Sequence, residues 1–556
     1  MRTRMETPAE SATCIPPVAS QPGGGTQQTL QVLVTWFILA VIVLALARQN
    51  AAVPGLYYDE AVFGGMAKDF IADTHGGHMP GTHVLKVFGR PFPLFVQTYL
   101  GALNCWMLMP AVAIFGADVS VLRAATLGWS LVALLVFMLW VCRWLGWRTA
   151  AVAGTVLALD PAYFFLGVLD WGAAVPSLLC RFASFLMVLL WWRDHRLRFA
   201  FLAGLFAGLG LFNKIDFAVL LVGAGGAGLI LFVRPLWVLL RARPVAIGAA
   251  FLGFALGAGP MIFAARRVLA IVAAEGTSYE AGELGEKVNT TLAMYDGSYF
   301  YRLMDVGGLF EKMHEGGSPV HSLFSTGLLL AIAVIVIFGL RKRSPHLLRR
   351  NALFLILAAL FTTIGALLLP GAVRLHHTVL VYPFPQLLVA LAVVMAWEEL
   401  HGSSVARRAG RLAIAAGFLL LLCSQVRAIQ RTQHLIRLTG GRGRWSESFD
   451  AFCAEVKNRA DLTIVSLDWG FNEQLVYLTA KPTVVEPFWG LGRDALPTLP
   501  MATNIIYLVH PPEYSLSPVG TRYLAAAQAA GKDVEVKPWN DREGHAAFYT
   551  IRYVGP

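Results

Sequence analysis

The sequence predicts a polytopic α-helical membrane protein with a small C-terminal α/β domain. Three observations predict it. Only 14% of the 556 residues are charged, against roughly 25% in an average soluble protein. The hydrophobic set (AVILMFWYC) makes up 56%, and mean hydropathy is +0.60. Apolar runs of spanning length recur from residue 31 to about 430, and charges return only after about 440. So few charges cannot cover a soluble surface of this size. A cytosolic enzyme, a disulfide-stapled secreted domain and a disordered chain are all excluded.

Residues 1–29 are polar and carry Pro16-Pro17 and Gly23-Gly24-Gly25, so they read as a disordered cytoplasmic tail. The first apolar run, 31–47, comes late and lacks a small-residue cleavage site, which marks a retained anchor. Further spans are expected near 119–141, 150–168, 172–192, 199–212, 216–233, 244–265, 322–340, 351–370, 379–397 and 412–430. The run 93–115 is also long enough to cross. Its place is decided by the basic linkers: Arg143/Arg148, Arg193/Arg196/Arg198, Arg234/Arg241/Arg243, Arg341/Lys342/Arg343 with Arg349/Arg350, and Arg407/Arg408/Arg411. The positive-inside rule puts these in the cytoplasm. With the N-terminus inside, parity closes only if 93–115 stays outside as an interfacial or bundle-packed helix.

The expected organisation is therefore a transmembrane domain over 30–435 with about eleven spans and outer loops 48–118 and 266–321. An extracytoplasmic α/β domain follows over 440–556. Strand-like runs Leu462–Leu467, Asn504–Val509 and Phe548–Val554 alternate there with helix-like stretches Ser446–Ala460 and Arg522–Ala530. The net charge of +11 sits mostly in the linkers and sets orientation, so no nucleic-acid partner is required. The six cysteines are scattered without a CxxC, which argues against a metal cluster or disulfide framework. Gly223-x-Gly225-x-x-Gly228 matches a dinucleotide fingerprint but lies inside a span, where helix packing explains it.

The scarce ionisable groups at span ends gather on the outer face of this topology. Asp59-Glu60 follows the first span in Leu56-Tyr57-Tyr58-Asp59-Glu60-Ala61. Asp170-Trp171-Gly172, Asn213-Lys214-Ile215-Asp216 and Arg374-Leu375-His376-His377 lie in later outer turns. A charge at membrane depth costs roughly 2.5–3.5 kcal/mol on insertion scales, so such groups are paired or functional. Plain alternatives exist for each: an interfacial acidic pair, a Lys214–Asp216 ion pair, an interfacial histidine pair. The tetrapeptide Leu-Asp-Trp-Gly occurs at 169–172 and again at 467–470, which as a repeat reads as coincidence. His75, His78 and His83 surround two glycine-containing turns and are the candidate ligands for a divalent metal. No other cofactor is expected.

Tyr57-Tyr58-Asp59-Glu60-Ala61 just past the first span, an outer juxtamembrane segment after it, and a short span ending at Asn213-Lys214 together resemble the C-type glycosyltransferase superfamily (GT-C). The branch is similar to the dolichyl-phosphate-mannose protein mannosyltransferases and the bacterial aminoarabinose transferases. Relatives commonly end the short span in Leu-x-Lys-Gly; here Ile215 replaces the glycine and Asp216 follows. Arg374-x-His376-His377 before Tyr382-Pro383-Phe384-Pro385, and an Asp468-Trp469-Gly470 turn, are similar to a further bacterial branch.

The resemblance implies a GT-C helical bundle that moves one sugar, hexosyl or pentosyl, from a polyprenyl-phosphate donor to a glycan, lipid or protein acceptor. Transfer would occur on the outer face, with inversion. It implies Asp59 as the base and Glu60 as the group orienting the acceptor or a metal. Lys214, Arg374, His376 and His377 would support the departing phosphate. Tyr58, Asp170, Asn213 and Asp216 are further candidate substrate-binding residues. The C-terminal domain would cover the site or recruit the acceptor. The competing readings are a transporter or flippase of lipid-linked or anionic cargo, and a non-catalytic membrane scaffold. A transporter would carry repeated halves and a matched pair of broken spans, and neither is visible in the sequence.

Overall fold

The computed structural model describes residues 24–555, apart from His75 and the segments 275–282, 341–345, 372–373, 487–501 and 517–518. The first helix, Gly24–Ala47, begins ahead of the boundary expected at residue 30. Among the described residues, seven helices are long and apolar enough to cross a membrane. Two further helix pairs pass together although each is bent by 66°. Two shorter apolar helices, Leu197–Asn213 and Phe324–Phe338, complete a set that coincides with the eleven expected segments.

Both bends have local causes. Between Trp147–Ala158 and Pro161–Val168, Asp160 caps the second helix by accepting from Tyr163 N, and Pro161 occupies its first position. Proline is suited to that position because it lacks the N–H that would go unpaired there. Between Pro244–Gly257 and the next helix, the break is Gly257-Ala258-Gly259-Pro260. The structure thus has two broken spans that the sequence did not disclose.

Helices Leu197–Asn213 and Pro244–Gly257 pack backbone to backbone. A Cβ on Gly204 would lie 1.9 Å from Ala250 O, and one on Gly253 2.0 Å from Phe201 O. Small residues allow this approach where lipid supplies no hydrophobic drive between helices. The consequence is positional, because the first of these helices ends at Asn213 and delivers Lys214.

The run 93–115 is not one helix. Pro91 and Pro93 lie in strand β2 (Arg90–Gln97), which pairs antiparallel with β1 (His83–Val87) and with β3 (Leu100–Gly101). Only Leu103–Phe115 is helical. Its 13 residues reach about 20 Å, short of the ~30 Å hydrocarbon core. The first half of the run forms a sheet, where a helix was expected, because proline disfavours helix. Phe88 and Gly89 join β1 to β2, both with positive φ, as a tight two-residue hairpin requires.

The C-terminal domain is a five-stranded mixed sheet. β4 (Thr463–Ser466) pairs parallel with β5 (Thr483–Val485) and with β6 (Ile505–Val509). β8 (Ala546–Tyr553) pairs antiparallel with β6 and with β7 (Val534–Asn540), giving the order β5-β4-β6-β8-β7. Helices Glu447–Val456 and Asn472–Leu478 cover one face through Phe449, Phe452, Phe471 and Leu475. β5, β7 and the helix Asn472–Leu478 were not anticipated. This domain is clamped to the loop after the first span. Lys68 Nζ donates to the carbonyls of Val476, Tyr477 and Thr479, capping the end of Asn472–Leu478.

Candidate active site

A cavity of about 400 Å³ lies where the membrane helices meet the C-terminal domain. Its walls come from distant parts of the chain. Asp59 enters from the first turn of helix Tyr58–Ala72. Lys214 and Asp216 enter from the turn between two spans, and Arg374, His376 and His377 from the turn ahead of another. Gly101 lets β3 approach this turn: a Cβ there would lie 2.2 Å from Phe212 O, and Leu100 bridges to Lys214. Arg444, Trp469 and Leu516 line the cavity from the C-terminal domain.

The charges fall into two kinds. Lys214 and Asp216 pair at 3.1 Å, and His377 Nδ1 lies 2.8 Å from the same Asp216 oxygen. Burial raises the Asp216 pKa, but Lys214 and the His377 bond more than offset this and hold the carboxyl below its ordinary range. Asp59 and Arg374 are different. Neither side chain makes a hydrogen bond or ion pair among the described residues. Arg374 lies over the Phe310 ring at 4.1 Å. Burial pushes the Asp59 carboxyl up, opposed by the fields of Arg374 and Lys214. A raised carboxylate holds a proton better, which suits a base.

Six of the candidate residues therefore converge on one cavity. Among the described residues, the other candidates do not line it. Glu60 is buried in an ion pair with Arg123 at 2.9 Å. Asp170 accepts from Asn104 Nδ2 at 2.9 Å within the core. Asn213 donates to Ala173 O. Tyr58 packs its ring on Trp469, with centroids 4.5 Å apart. Of the metal candidates, His75 lies outside the described residues. His78 has both ring nitrogens on carboxylates, Nδ1 to Glu473 at 2.8 Å and Nε2 to Asp69 at 3.0 Å. His83 lies on strand β1. His78 thus joins the membrane region to the C-terminal domain as an ionic link.

Several site residues were missed. The two Leu-Asp-Trp-Gly turns, set aside as coincidence, place Trp171 and Trp469 on the same cavity. Tyr57 joins them, stacked on Trp445 at 4.2 Å and on Trp171 at 5.9 Å, and edge-on to Trp469 at 6.1 Å. Asp468 shapes its turn by accepting from the backbone of Trp469 and Leu516. Arg444 lies over the Trp469 ring at 4.9 Å. Its only sequence signal was a basic residue beside a tryptophan. A second cavity of about 800 Å³ shares Arg374, His376 and His377 with the first.

The chain matches no family model, and no curated protein matches it. Solved structures do match. ArnT from Cupriavidus metallidurans bound to undecaprenyl phosphate superposes with a TM-score of 0.54 at 13% identity, covering 94% of this chain and 99% of that one. Its apo state gives the same values. The Archaeoglobus fulgidus oligosaccharyltransferase in its apo form gives a TM-score of 0.47 at 15% identity, covering 82% of this chain and 65% of that one. The protein is a polytopic helical membrane protein with a small appended sheet domain, and its fold is of the GT-C class. Within that class the architecture follows ArnT along nearly the whole of both chains.

Proposed function

We propose that this protein is a membrane glycosyltransferase that moves a single sugar from a polyprenyl-phosphate donor to an acceptor, with inversion, on the extracytoplasmic face. One observation carries this reading: an unpaired carboxylate, Asp59, and an unpaired guanidinium, Arg374, face one cavity beneath the C-terminal domain. The ArnT likeness supports the class of donor, since that protein is the one bound to undecaprenyl phosphate.

The chemistry follows from the residue types. Asp59 takes the proton of the acceptor hydroxyl as its oxygen attacks the anomeric carbon. The bond from that carbon to the phosphate oxygen breaks, and its electrons leave with the lipid phosphate. That anion needs cationic support, which Arg374 gives and Lys214 reinforces. Attack opposite the phosphate inverts the carbon. The C-terminal domain lines the cavity and keeps water from competing with the acceptor. No step requires a metal, and His78 serves in the ionic link described above.

The two broken spans bear on the transport reading. They differ in chemistry. Asp160 at the first break is taken up by Tyr163 N, the Tyr382 hydroxyl and Gln386 Nε2, while the second break carries no ionisable residue. A pathway built on matched halves would place polar groups at both.

The test compares membrane lipids and surface glycans by mass spectrometry with and without the gene. Loss of one glycan with build-up of a sugar-charged polyprenyl phosphate is expected. Unchanged glycans and carriers would overturn the reading.

A further inference from the structure

The adjacent histidines of the cavity are held by partners of opposite kind. Trp171 Nε1 lies 3.0 Å from His376 Nδ1. An indole N–H can only donate, so His376 Nδ1 carries a lone pair and the ring's proton resides on Nε2. His377 Nδ1 lies 2.8 Å from an Asp216 oxygen and 3.3 Å from Lys214 Nζ. The carboxylate can only accept and the ammonium can only donate, so the two contacts make contrary demands on Nδ1. The shorter decides. A lone pair on Nδ1 would face the carboxylate's lone pairs at 2.8 Å, whereas Lys214 already has Asp216 as its acceptor. His377 therefore carries its proton on Nδ1 and a lone pair on Nε2. Neither Nε2 has a hydrogen-bond partner among the described residues. Both rings line both cavities.

We infer that the two histidines are locked in opposite tautomers and divide the work: His376 donates to the donor's phosphate oxygens through Nε2–H, with Trp171 as its positioning residue, and His377 accepts from a substrate hydroxyl. This rests on the proposed function and sharpens it. Of two histidines expected to share a phosphate, only one presents a donor to it. Without Trp171 the His376 ring is free to carry its proton on either nitrogen, and Nε2 no longer always presents a donor.

The test is binding of undecaprenyl phosphate to the purified full-length chain, with undecaprenol as the control that lacks the phosphate. His376→Ala should weaken undecaprenyl phosphate about tenfold, the scale of one hydrogen bond to a charged group. Trp171→Phe, which keeps the ring and removes the N–H, should weaken it several-fold. The effect of Trp171→Phe should vanish in the His376→Ala background, because Trp171 acts through that ring. His377→Ala should weaken undecaprenyl phosphate less than His376→Ala does, because its ring presents no N–H to the phosphate. His376→Gln, which retains an N–H donor, should restore part of the loss. Additive losses from Trp171→Phe and His376→Ala, or an equal loss from His377→Ala, would overturn the inference alone. If the unaltered protein bound undecaprenol as well as undecaprenyl phosphate, the proposed function would fall and this inference with it.

Discussion

The guanidinium of Arg123 lies 2.9 Å from the Glu60 carboxylate, and both side chains are buried. Arg123 also donates to the carbonyls of Pro54 and Gly55, just ahead of Tyr58–Ala72. The second acid of the Asp-Glu pair thus holds the loop that aims the first. Glu60→Gln would leave a buried arginine without its counter-charge, a change that typically costs about 3–5 kcal/mol. The expected result is a lower thermal midpoint and less folded protein, with transfer per folded molecule largely kept. A folded Glu60→Gln protein that had lost transfer would instead place this carboxylate in the chemistry.

Asp59 carries the opposite expectation. Asp59→Asn should remove transfer while leaving the amount of folded protein unchanged, because the carboxylate has no partner to lose. The pH profile gives an independent check. A base works only when deprotonated, so the rate should rise with pH through the Asp59 pKa and then level. Burial places that limb above the ordinary carboxylate value of about 3.9. A limb at or below the ordinary value would argue against Asp59.

His78 makes docking of the C-terminal domain depend on pH. Burial disfavours its charge, but Glu473 and Asp69 prevail and raise its pKa to about 10. A histidine raised on folding contributes stability that is complete below its unfolded value, about pH 6.5. That stability is lost as pH rises through about 10. Protease cleavage of the C-terminal domain, followed from pH 6.5 upward, should therefore accelerate with pH. His78→Gln should be cleaved faster at neutral pH and show a flatter dependence.

The glycine contact between Leu197–Asn213 and Pro244–Gly257 predicts a remote effect on the site. In Gly253→Ala the new methyl would meet Phe201 O at 2.0 Å. Backbone cannot yield as a side chain does, so the helices must separate, at a cost of about 1–3 kcal/mol. Thermal unfolding in detergent measures that cost. Because the shifted helix delivers Lys214, donor affinity should fall as well. Gly248→Ala, on the same helix but with nothing near its Cβ, should change neither.

What was legible in the sequence came from local free energies. Transfer to lipid is summed over a window of one span, so the membrane class and the helical segments follow from composition alone. Polar groups are costly there, so the few at span ends, Asp59, Lys214, Asp216, Arg374, His376 and His377, stood out before any geometry was known. The strands β4, β6 and β8 were legible because β-branched runs stand between helix-like stretches. Strand β2 was not, because its apolar residues carry no alternation and the signal lay in Pro91 and Pro93.

Pairing was decided only by the tertiary structure. Asp59 and Glu60 are neighbours in sequence but about 100° apart around a helix, so one faces the cavity and the other Arg123. Which faces which depends on how Tyr58–Ala72 is rolled, and that is set by Asn472–Leu478, Trp469 and Arg123 packing against it. The stacking of Tyr57 on Trp445, and the pairing of His78 with Glu473, join residues hundreds of positions apart. No window of sequence contains both partners, and their attraction exists only after the chain has closed the loop between them.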